Sequence, residues 1–350
     1  MSIAIDAMGG DYAPKQIVEG AILAAQEGIG DRGLILVGDP KRIHEFLDPQ
    51  KAKDLNIVIH PAYEVIHMHE SPVAGLRRKK DASIARAVEL VKKGQADAVV
   101  SAGNTGACVA ATKLKLRFLK GIDRPAIATI MPNLFGTNIL IDAGATVDCN
   151  PEHLVQFALM GMVYAKYVLK KENPSIGLLN VGEEEGKGND LTKLTFKMLR
   201  KTSLNFVGNV EGRDVFRNVA DVIVTDGFVG NVALKAAEGG VRLIQNVLKQ
   251  EVTKSWLSKF AAVMMKKAFD GLKKRVDYAE YGGAPLLGID GICIICHGRS
   301  NAKAIKNAIR VAEEFIQNKV NRHIEDEVDR VQRALHADQQ DSSLPFNVKA

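Results

Sequence analysis

The sequence predicts an α/β fold with a doubly wound, mostly parallel sheet, on three observations. Short Val/Ile-rich runs alternate with helical stretches over most of the 350 residues, the rhythm that lays helices on both faces of a parallel sheet. Several of those runs end in glycine-rich turns bearing Asp, Asn, Ser or Thr and pass straight into a helix. The alternation breaks after Gly240, where a basic amphipathic stretch begins.

In order, Ile3–Asp6 reads as a strand leading into Ala7-Met8-Gly9-Gly10-Asp11, with Pro14 placed to open the helix Ile17–Gln26. Leu34–Val37 is a strand, Lys41–Leu47 a helix and Ile57–His60 a strand. The helix Ile84–Lys93 feeds the buried strand Ala98–Val100, whose turn holds Asn104 and Thr105 between Gly103 and Gly106 before the helix Cys108–Leu119. Ile127–Met131 and Ile139–Ile141 pair through the turn Asn133–Gly136, and the second runs into Asp142-Ala143-Gly144-Ala145. Leu154–Lys170 is a helix, Ile176–Val181 a strand, Leu191–Leu199 a helix and Phe206–Gly208 a short strand. Asp221–Thr225 leads into Asp226-Gly227-Phe228-Val229-Gly230-Asn231 and the helix Val232–Glu238. Ile292–Ile295 is the last strand, Ala302–Leu335 is helical, and Ala337–Ala350 is polar and frayed. The organisation expected is one large α/β domain over residues 1–336, with 240–278 as a helical insertion and 337–350 as a flexible tail.

Composition bounds the function. With 46% apolar and 25% charged residues the chain is globular throughout, and only 5% aromatic content argues against a base-stacking nucleic-acid surface. A net charge of +6 is mild, so its placement matters more than its size. A strand entered at Ile3 predicts no signal peptide, no apolar run approaches the ~20 residues of a membrane span, and four scattered cysteines read as reduced and cytosolic. Three motif matches fail on context. Gly28-Ile29-Gly30-Asp31-Arg32-Gly33 fits the dinucleotide pattern but lies after a helix and before a strand, so no nicotinamide cofactor is expected. Gly182-Glu183-Glu184-Glu185-Gly186-Lys187-Gly188 is one residue short of a phosphate loop, lacks its Ser/Thr, and carries three carboxylates that repel a triphosphate. Cys293 and Cys296 before His297 have haem-attachment spacing, but residues three apart in a strand face opposite sides.

A strand that opens through small residues onto a helix aims unpaired N–H groups at one point, which suits an anion; the alternative is merely a tight crossover. Because ligands of open α/β sheets bind beyond the carboxyl ends of the strands, four such turns on one edge predict a polar pocket. Lys187, between glycines, brings an ammonium to an anion or salt-bridges Glu183–Glu185, and Asn180 sits beside it at a strand end. His297-Gly298-Arg299-Ser300-Asn301 offers an imidazole, a guanidinium and a helix N-cap together. Asp6, Asp11, Asp142 and Asp226 are general bases, metal ligands or, the preferred reading, helix caps; their spacing matches no metal motif. From Trp256 the apolar residues Leu257, Phe260, Ala261, Met264, Met265, Ala268, Phe269 and Leu272 form a helical stripe beside Lys254, Lys259, Lys266, Lys267, Lys273, Lys274 and Arg275. A helix of this kind lies on an anionic membrane or receives a partner.

The blocks Asp6–Asp11, Ser101–Ala107, Asp148–Phe157, Leu179–Gly188, Thr225–Lys235, Gly282–Gly288 and Cys296–Asn301 together resemble the bacterial phosphate acyltransferase (PlsX) family, in its order and over nearly the whole chain. Thr146 departs from it, standing where the family commonly has Asn after Gly-Ala. The resemblance implies a fold like phosphate acetyltransferase and isopropylmalate dehydrogenase. It also implies transfer of a fatty acyl group from acyl carrier protein to inorganic phosphate, and a homodimer. The product, an acyl phosphate, passes to a membrane glycerol-3-phosphate acyltransferase, which fits a cytoplasmic protein held peripherally at the inner face of the cell membrane. No cofactor or metal is expected.

Phosphate is already an anionic nucleophile and a thiol leaves readily, with a pKa of about 8.5, so the protein needs to supply a cradle, oxyanion donors and alignment. The expected catalytic residues are Lys187, His297, Asn180 and Asp226, with His297 assisting the departing sulfur. The expected cradle is Asp6, Gly9, Gly10, Ser101, Gly103, Asn104, Thr105, Gly106, Gly227, Asn231, Arg299, Ser300 and Asn301. Membrane or carrier contact falls to Trp256, Phe260, Met264, Met265, Lys266, Lys267 and Phe269. Two rivals predict other behaviour: a coenzyme-A-dependent phosphate acetyltransferase leaves the amphipathic stretch without a purpose, and a membrane scaffold binds vesicles without forming acyl phosphate.

Overall fold

The computed structural model describes residues 2–30, 33–276 and 278–341. In chain order the elements are β1 (Ile3–Asp6), α1 (Lys15–Gln26), β2 (Leu34–Gly38), α2 (Pro40–His44), α3 (Pro49–Asp54), β3 (Ile57–Pro61), α4 (Pro72–Arg78), α5 (Ser83–Lys92), β4 (Ala98–Ser101) and α6 (Thr105–Lys115). Then follow β5 (Ala126–Asn133), β6 (Gly136–Ile141), α7 (Pro151–Tyr167), β7 (Ile176–Asn180), α8 (Asp190–Arg200), β8 (Phe206–Glu211), β9 (Val222–Val224) and α9 (Gly227–Thr253). The chain closes with α10 (Trp256–Met264), α11 (Lys266–Val276), α12 (Tyr278–Tyr281), β10 (Ala284–Leu287), β11 (Ile292–Ile295), α13 (Ala302–Gln317) and α14 (Val320–Asp341).

The strands form one sheet in the order β3-β2-β1-β4-β11-β10-β5-β6-β9-β7-β8. Seven of the ten neighbouring pairs are parallel, which bears out the mostly parallel α/β expectation. The three antiparallel pairs meet in the middle, where β10 opposes both β11 and β5, and β6 opposes β5. They reverse the sheet. β1, β4 and β11 point one way, while β6, β9 and β7 point the other, so their carboxyl ends open at opposite edges. The expectation that all four glycine turns share one edge is corrected here: alternation of apolar runs reveals strands but not their direction.

The core sits on both faces of this sheet. Ile3, Ile5, Val100 and Ile294 pack under α1, α7 and α13, while Val99, Cys293 and Ile295 face α5 and α6. Burying such runs on both faces suits strands with continuous rather than alternating apolar sequence. The helix expected over Ala302–Leu335 is two helices. Asn318 closes α13 and Lys319 takes a positive φ of 49°, which turns α14 back so that Ile324, Val328 and Val331 bury against the core. The helix α14 runs on to Asp341, and residues 342–350 of the expected tail lie outside the described residues.

The helix expected at Val232–Glu238 starts earlier, at Gly227, and runs unbroken through Gly239 and Gly240 to Thr253. The insertion boundary expected at 240 therefore falls inside a continuous helix. The expected stripe from Trp256 is divided at Met265 into α10 and α11. Trp256, Phe260, Met264, Met265, Lys266 and Lys267 are exposed, and Phe269 is half-buried. The side chains of Leu272, Lys273 and Lys274 lie outside those described.

Candidate active site

Three turns meet where β1, β4 and β11 end. A Cβ on Gly9 would stand 2.8 Å from the amide nitrogen of Gly103, so these two backbones touch only because neither carries a side chain. Gly10 has a φ of +113° and sits over the carbonyls of Ala102 and Gly298, while the Asp11 amide donates to the Gly298 carbonyl at 2.8 Å. Beneath them Asp6 is buried. It accepts the Ser101 hydroxyl at 2.7 Å, and that hydroxyl accepts the Gly103 amide at 3.1 Å. Burial raises the Asp6 pKa above the ordinary carboxylate value, and hydrogen bonds from Ser83 and Ser101 offset part of that. Asp6 and Ser101 thus brace the turn from below.

Asn104 holds the same turn from the side. Its Oδ1 caps α6 by accepting the Ala107 amide at 3.1 Å, and its Nδ2 reaches the carbonyls of His67, Met68 and Glu70, each at 3.2 Å. The first-turn amides of α6, at Thr105 and Gly106, have no acceptor within the helix and carry its positive dipole end. Thr105 lines a cavity of about 410 Å³ between the sheet and α9, within the ~300–1,000 Å³ typical of ligand sites.

One wall of that cavity is the helix α9, whose Asn231, Leu234, Lys235, Glu238, Val241 and Arg242 recur at helical spacing. The opposite wall carries Ile127 and Ile130 of β5, Ala284 of β10, Ile295 of β11 and His297. The His297 ring is oriented from both sides. Nδ1 accepts the Arg299 amide at 3.1 Å, so in the neutral ring the proton sits on Nε2, 3.9 Å from Glu238 Oε2. Glu238 Oε2 in turn holds Lys235 Nζ at 3.0 Å. Burial lowers the His297 pKa; Glu238 pulls it up, and Lys235, Arg242 and Arg299 push it down. Cys296, also on the wall, is buried and its thiol pKa is driven far up by desolvation, so it stays a protonated thiol rather than a nucleophile.

Of the residues expected from the sequence, Thr105, Asn231 and His297 line the cavity. Asp6, Gly9, Gly10, Ser101, Gly103, Asn104 and Gly106 belong to the turns at its rim. Arg299 lies beside Asp11 at 3.7 Å, Ser300 is buried, and Asn301 caps α13 by accepting the Ala304 amide. The others stand elsewhere. Asp226 caps α9, its Oδ1 accepting the Phe228 and Val229 amides at 2.9 Å, and does not line the cavity. Gly227 is packed beneath Asp142 and Thr146. Asp142 is a scaffold, accepting amides of Ile127, Gly144, Ala145 and Thr146, and the Thr146 hydroxyl donates to the Pro125 carbonyl.

Asn180 and Lys187 are also away from the cavity, and the reason is the sheet reversal. Asn180 ends β7 and Lys187 lies in the loop after it, and β6 and β9 separate that strand from β5 and let it end at the other edge. There the Asn180 amide holds the Lys187 carbonyl at 3.1 Å and Lys187 is exposed. Within one chain these two expected catalytic residues do not join His297. Lys235, Glu238 and Arg242, absent from the expected set, are the charged side chains that line the cavity with His297. Among the described residues no group of three or more His, Cys, Asp and Glu side chains is placed to hold a metal ion.

The profile of the family described as "Fatty acid synthesis protein" matches residues 1–323. The chain is 52% identical over 332 residues to "Phosphate acyltransferase" of Pelotomaculum thermopropionicum, covering 95% of this chain and 96% of that one. It is 55% identical over 325 residues to the protein of the same name from Geotalea uraniireducens, covering 93% of each. Its fold is similar to a phosphotransacetylase from Streptococcus pyogenes, with a TM-score of 0.57, 15% identity and coverage of 91% of this chain and 94% of that one. It is likewise similar to a branched-chain phosphotransacylase from Enterococcus faecalis, with a TM-score of 0.54, 13% identity and coverage of 90% and 98%. Across nearly its whole length the chain belongs to the fatty acid synthesis protein family, and it is an acyltransferase.

Proposed function

We propose that this chain transfers a fatty acyl group from the thioester of an acyl carrier protein to inorganic phosphate, releasing acyl phosphate for phospholipid synthesis. The observation that carries the reading is the meeting of the α6 N-terminus, Thr105, Lys235 and His297 over an apolar groove. Phosphate sits against the helix end and the Lys235 ammonium. The acyl chain lies along Ile127, Ile130, Leu234 and Val241, where water is excluded.

A hydrogen phosphate oxygen attacks the thioester carbon. The amides of the α6 first turn and the Nε2–H of His297 stabilise the oxyanion, and the carbon–sulfur bond then breaks. The proton carried by hydrogen phosphate ends on the departing sulfur, so atoms and charge balance as acyl phosphate plus free thiol. The inert Cys296 thiol supports direct attack over an acyl–enzyme. The names of the relatives support phosphate as acceptor. A homodimer is part of the reading, supported by the exposed Phe228, Val232, Leu243 and Val247 of α9. The product then goes to a membrane glycerol-3-phosphate acyltransferase.

The test offers palmitoyl-acyl carrier protein and palmitoyl- and acetyl-coenzyme A side by side with phosphate, and traps acyl phosphate with hydroxylamine. The carrier-bound donor is expected to be used best. Preference for acetyl-coenzyme A would assign the acetyltransferase activity, and vesicle binding without any hydroxamate would assign a scaffold.

The pH profile follows from His297. Its pKa lies below the ordinary imidazole value, so the ring is neutral at pH 7; protonating Nδ1 breaks the Arg299 amide bond that orients the ring, so kcat/KM is expected to fall as pH drops through that pKa. Glu238→Gln removes the partner that pulls the pKa up and should move this acid limb to lower pH, with the phosphate dianion held constant. His297→Gln should abolish the limb. A limb unmoved by either change would place the titrating group elsewhere.

A further inference from the structure

The run Arg77-Arg78-Lys79-Lys80 is used by nothing in the site described so far. The helix α4, which carries its first two residues, is anchored by the buried Gly75 and Leu76 and packs on α6. Its first residue, Pro72, lies against Gly106, with Cγ 2.6 Å from where a Cβ on that glycine would be. One end of α4 therefore abuts the rim turn of the cavity. The other end lies about 10 Å away, at 1.5 Å per residue over seven residues.

Within the run the four cations divide. Lys79 is committed to structure, donating to the Val65 carbonyl and, at 2.6 Å, to Glu70, and so clamping the loop whose carbonyls Asn104 grips. Arg77, Arg78 and Lys80 are exposed, and among the described residues no carboxylate pairs with them. Val73, one turn before Arg77 on α4, is exposed at 47%, and Met68, in the loop before the helix, at 51%. Met68 also reaches the rim, its Cε 3.1 Å from the Cβ position of Gly298. Three exposed cations at one end of α4, with Val73 on the same helix and Met68 at the rim, one helix length from a thioester site, are complementary to an acidic protein surface presenting its substrate on a flexible arm.

We infer that Arg77, Arg78 and Lys80, with Val73 and Met68, form the surface on which the acidic carrier protein docks while its acyl thioester enters between Thr105 and His297. This rests on the acyl-carrier reading above and separates two roles. The α4 cations seat the carrier, and the α10–α11 lysines do not.

The test compares wild type, the triple variant Arg77→Glu/Arg78→Glu/Lys80→Glu and the pair Lys266→Glu/Lys267→Glu. Each is assayed with one acyl group presented on carrier protein and on pantetheine. The triple variant is expected to raise KM for the carrier-bound donor by about tenfold to hundredfold at low salt, with kcat and the pantetheine rate unchanged. The pair should leave both donors unaffected. The unchanged pantetheine rate also reports an intact fold. A carrier loaded with a non-transferable acyl amide, titrated calorimetrically, measures docking apart from turnover. If wild type binds it but transfers nothing, the catalytic reading fails while the docking surface stands. Equal affinity of wild type and triple variant overturns the inference, as does a loss confined to anionic vesicles or a larger loss in the Lys266/Lys267 pair.

Discussion

Lys235→Ala is expected to lower kcat/KM for acyl transfer to phosphate by about 10²-fold, with most of the loss in kcat and in the KM for phosphate. The ammonium stands on the α9 wall, 3.0 Å from Glu238 and in the same cavity as Thr105 and His297. Anionic phosphate and the acyl carbon must come together there. The attack concentrates charge on phosphate and carbonyl oxygens, so a cation fixed on the wall stabilises the transition state more than the separated reactants. A factor of 10² corresponds to about 2.7 kcal/mol, ordinary for one preorganised donor once substrate has displaced water from the groove. Lys235→Arg keeps the charge and should recover part of the rate, because a guanidinium binds phosphate but its bulk alters alignment. Lys235 is half-exposed at the surface of its helix, so its removal should leave the melting temperature within a degree or two. Unchanged KM for phosphate and unchanged kcat in the alanine variant would place the phosphate cation elsewhere.

The rim of the site was legible in the sequence because its parts are local. A strand, a glycine turn and a helix start stand together in the chain, so Gly9, Gly103, Asn104, Thr105 and His297 could be picked out by spacing alone. The far wall was not legible, for two physical reasons. Strand direction depends on which chain neighbours pair, and the short β10, with its Pro285, reverses the sheet without leaving a pattern. That reversal carries Lys187 and Asn180 to the other edge. The second reason lies in α9. Asn231, Lys235, Glu238 and Arg242 recur every three or four residues, as a solvated helix face does, and only the sheet opposite turns that face into a cavity wall. The proline-led helices α3 and α4 escaped for lack of length, although Asp48 and Ser71 before Pro49 and Pro72 mark their starts.

Trp256→Asp with Phe260→Asp is expected to lower partitioning onto anionic vesicles by about 100-fold or more while leaving turnover of a soluble donor unchanged. The helix α10 buries none of its residues, and Trp256 and Phe260 are 79% and 60% accessible along with Val263 and Met264 at 71% and 75%. Exposing that much apolar surface in water is costly, at ~1.5–3 kcal/mol for each large side chain that interface would otherwise bury. Lys259, Lys266 and Lys267 are exposed beside it, each contributing about 1 kcal/mol near an anionic leaflet. No helix among the described residues is long and apolar enough to cross a membrane, and the expectation is that α10 lies in the interface. In the proposed reaction the product is amphiphilic, and α9 runs unbroken from the cavity wall to Thr253, just before α10, so one helix leads from the cavity toward this exposed apolar face. Loss of turnover with vesicle binding intact would instead assign α10 to the carrier. Loss of binding alone assigns it to the lipid, and a double variant that still partitions fully would show that the lysines suffice.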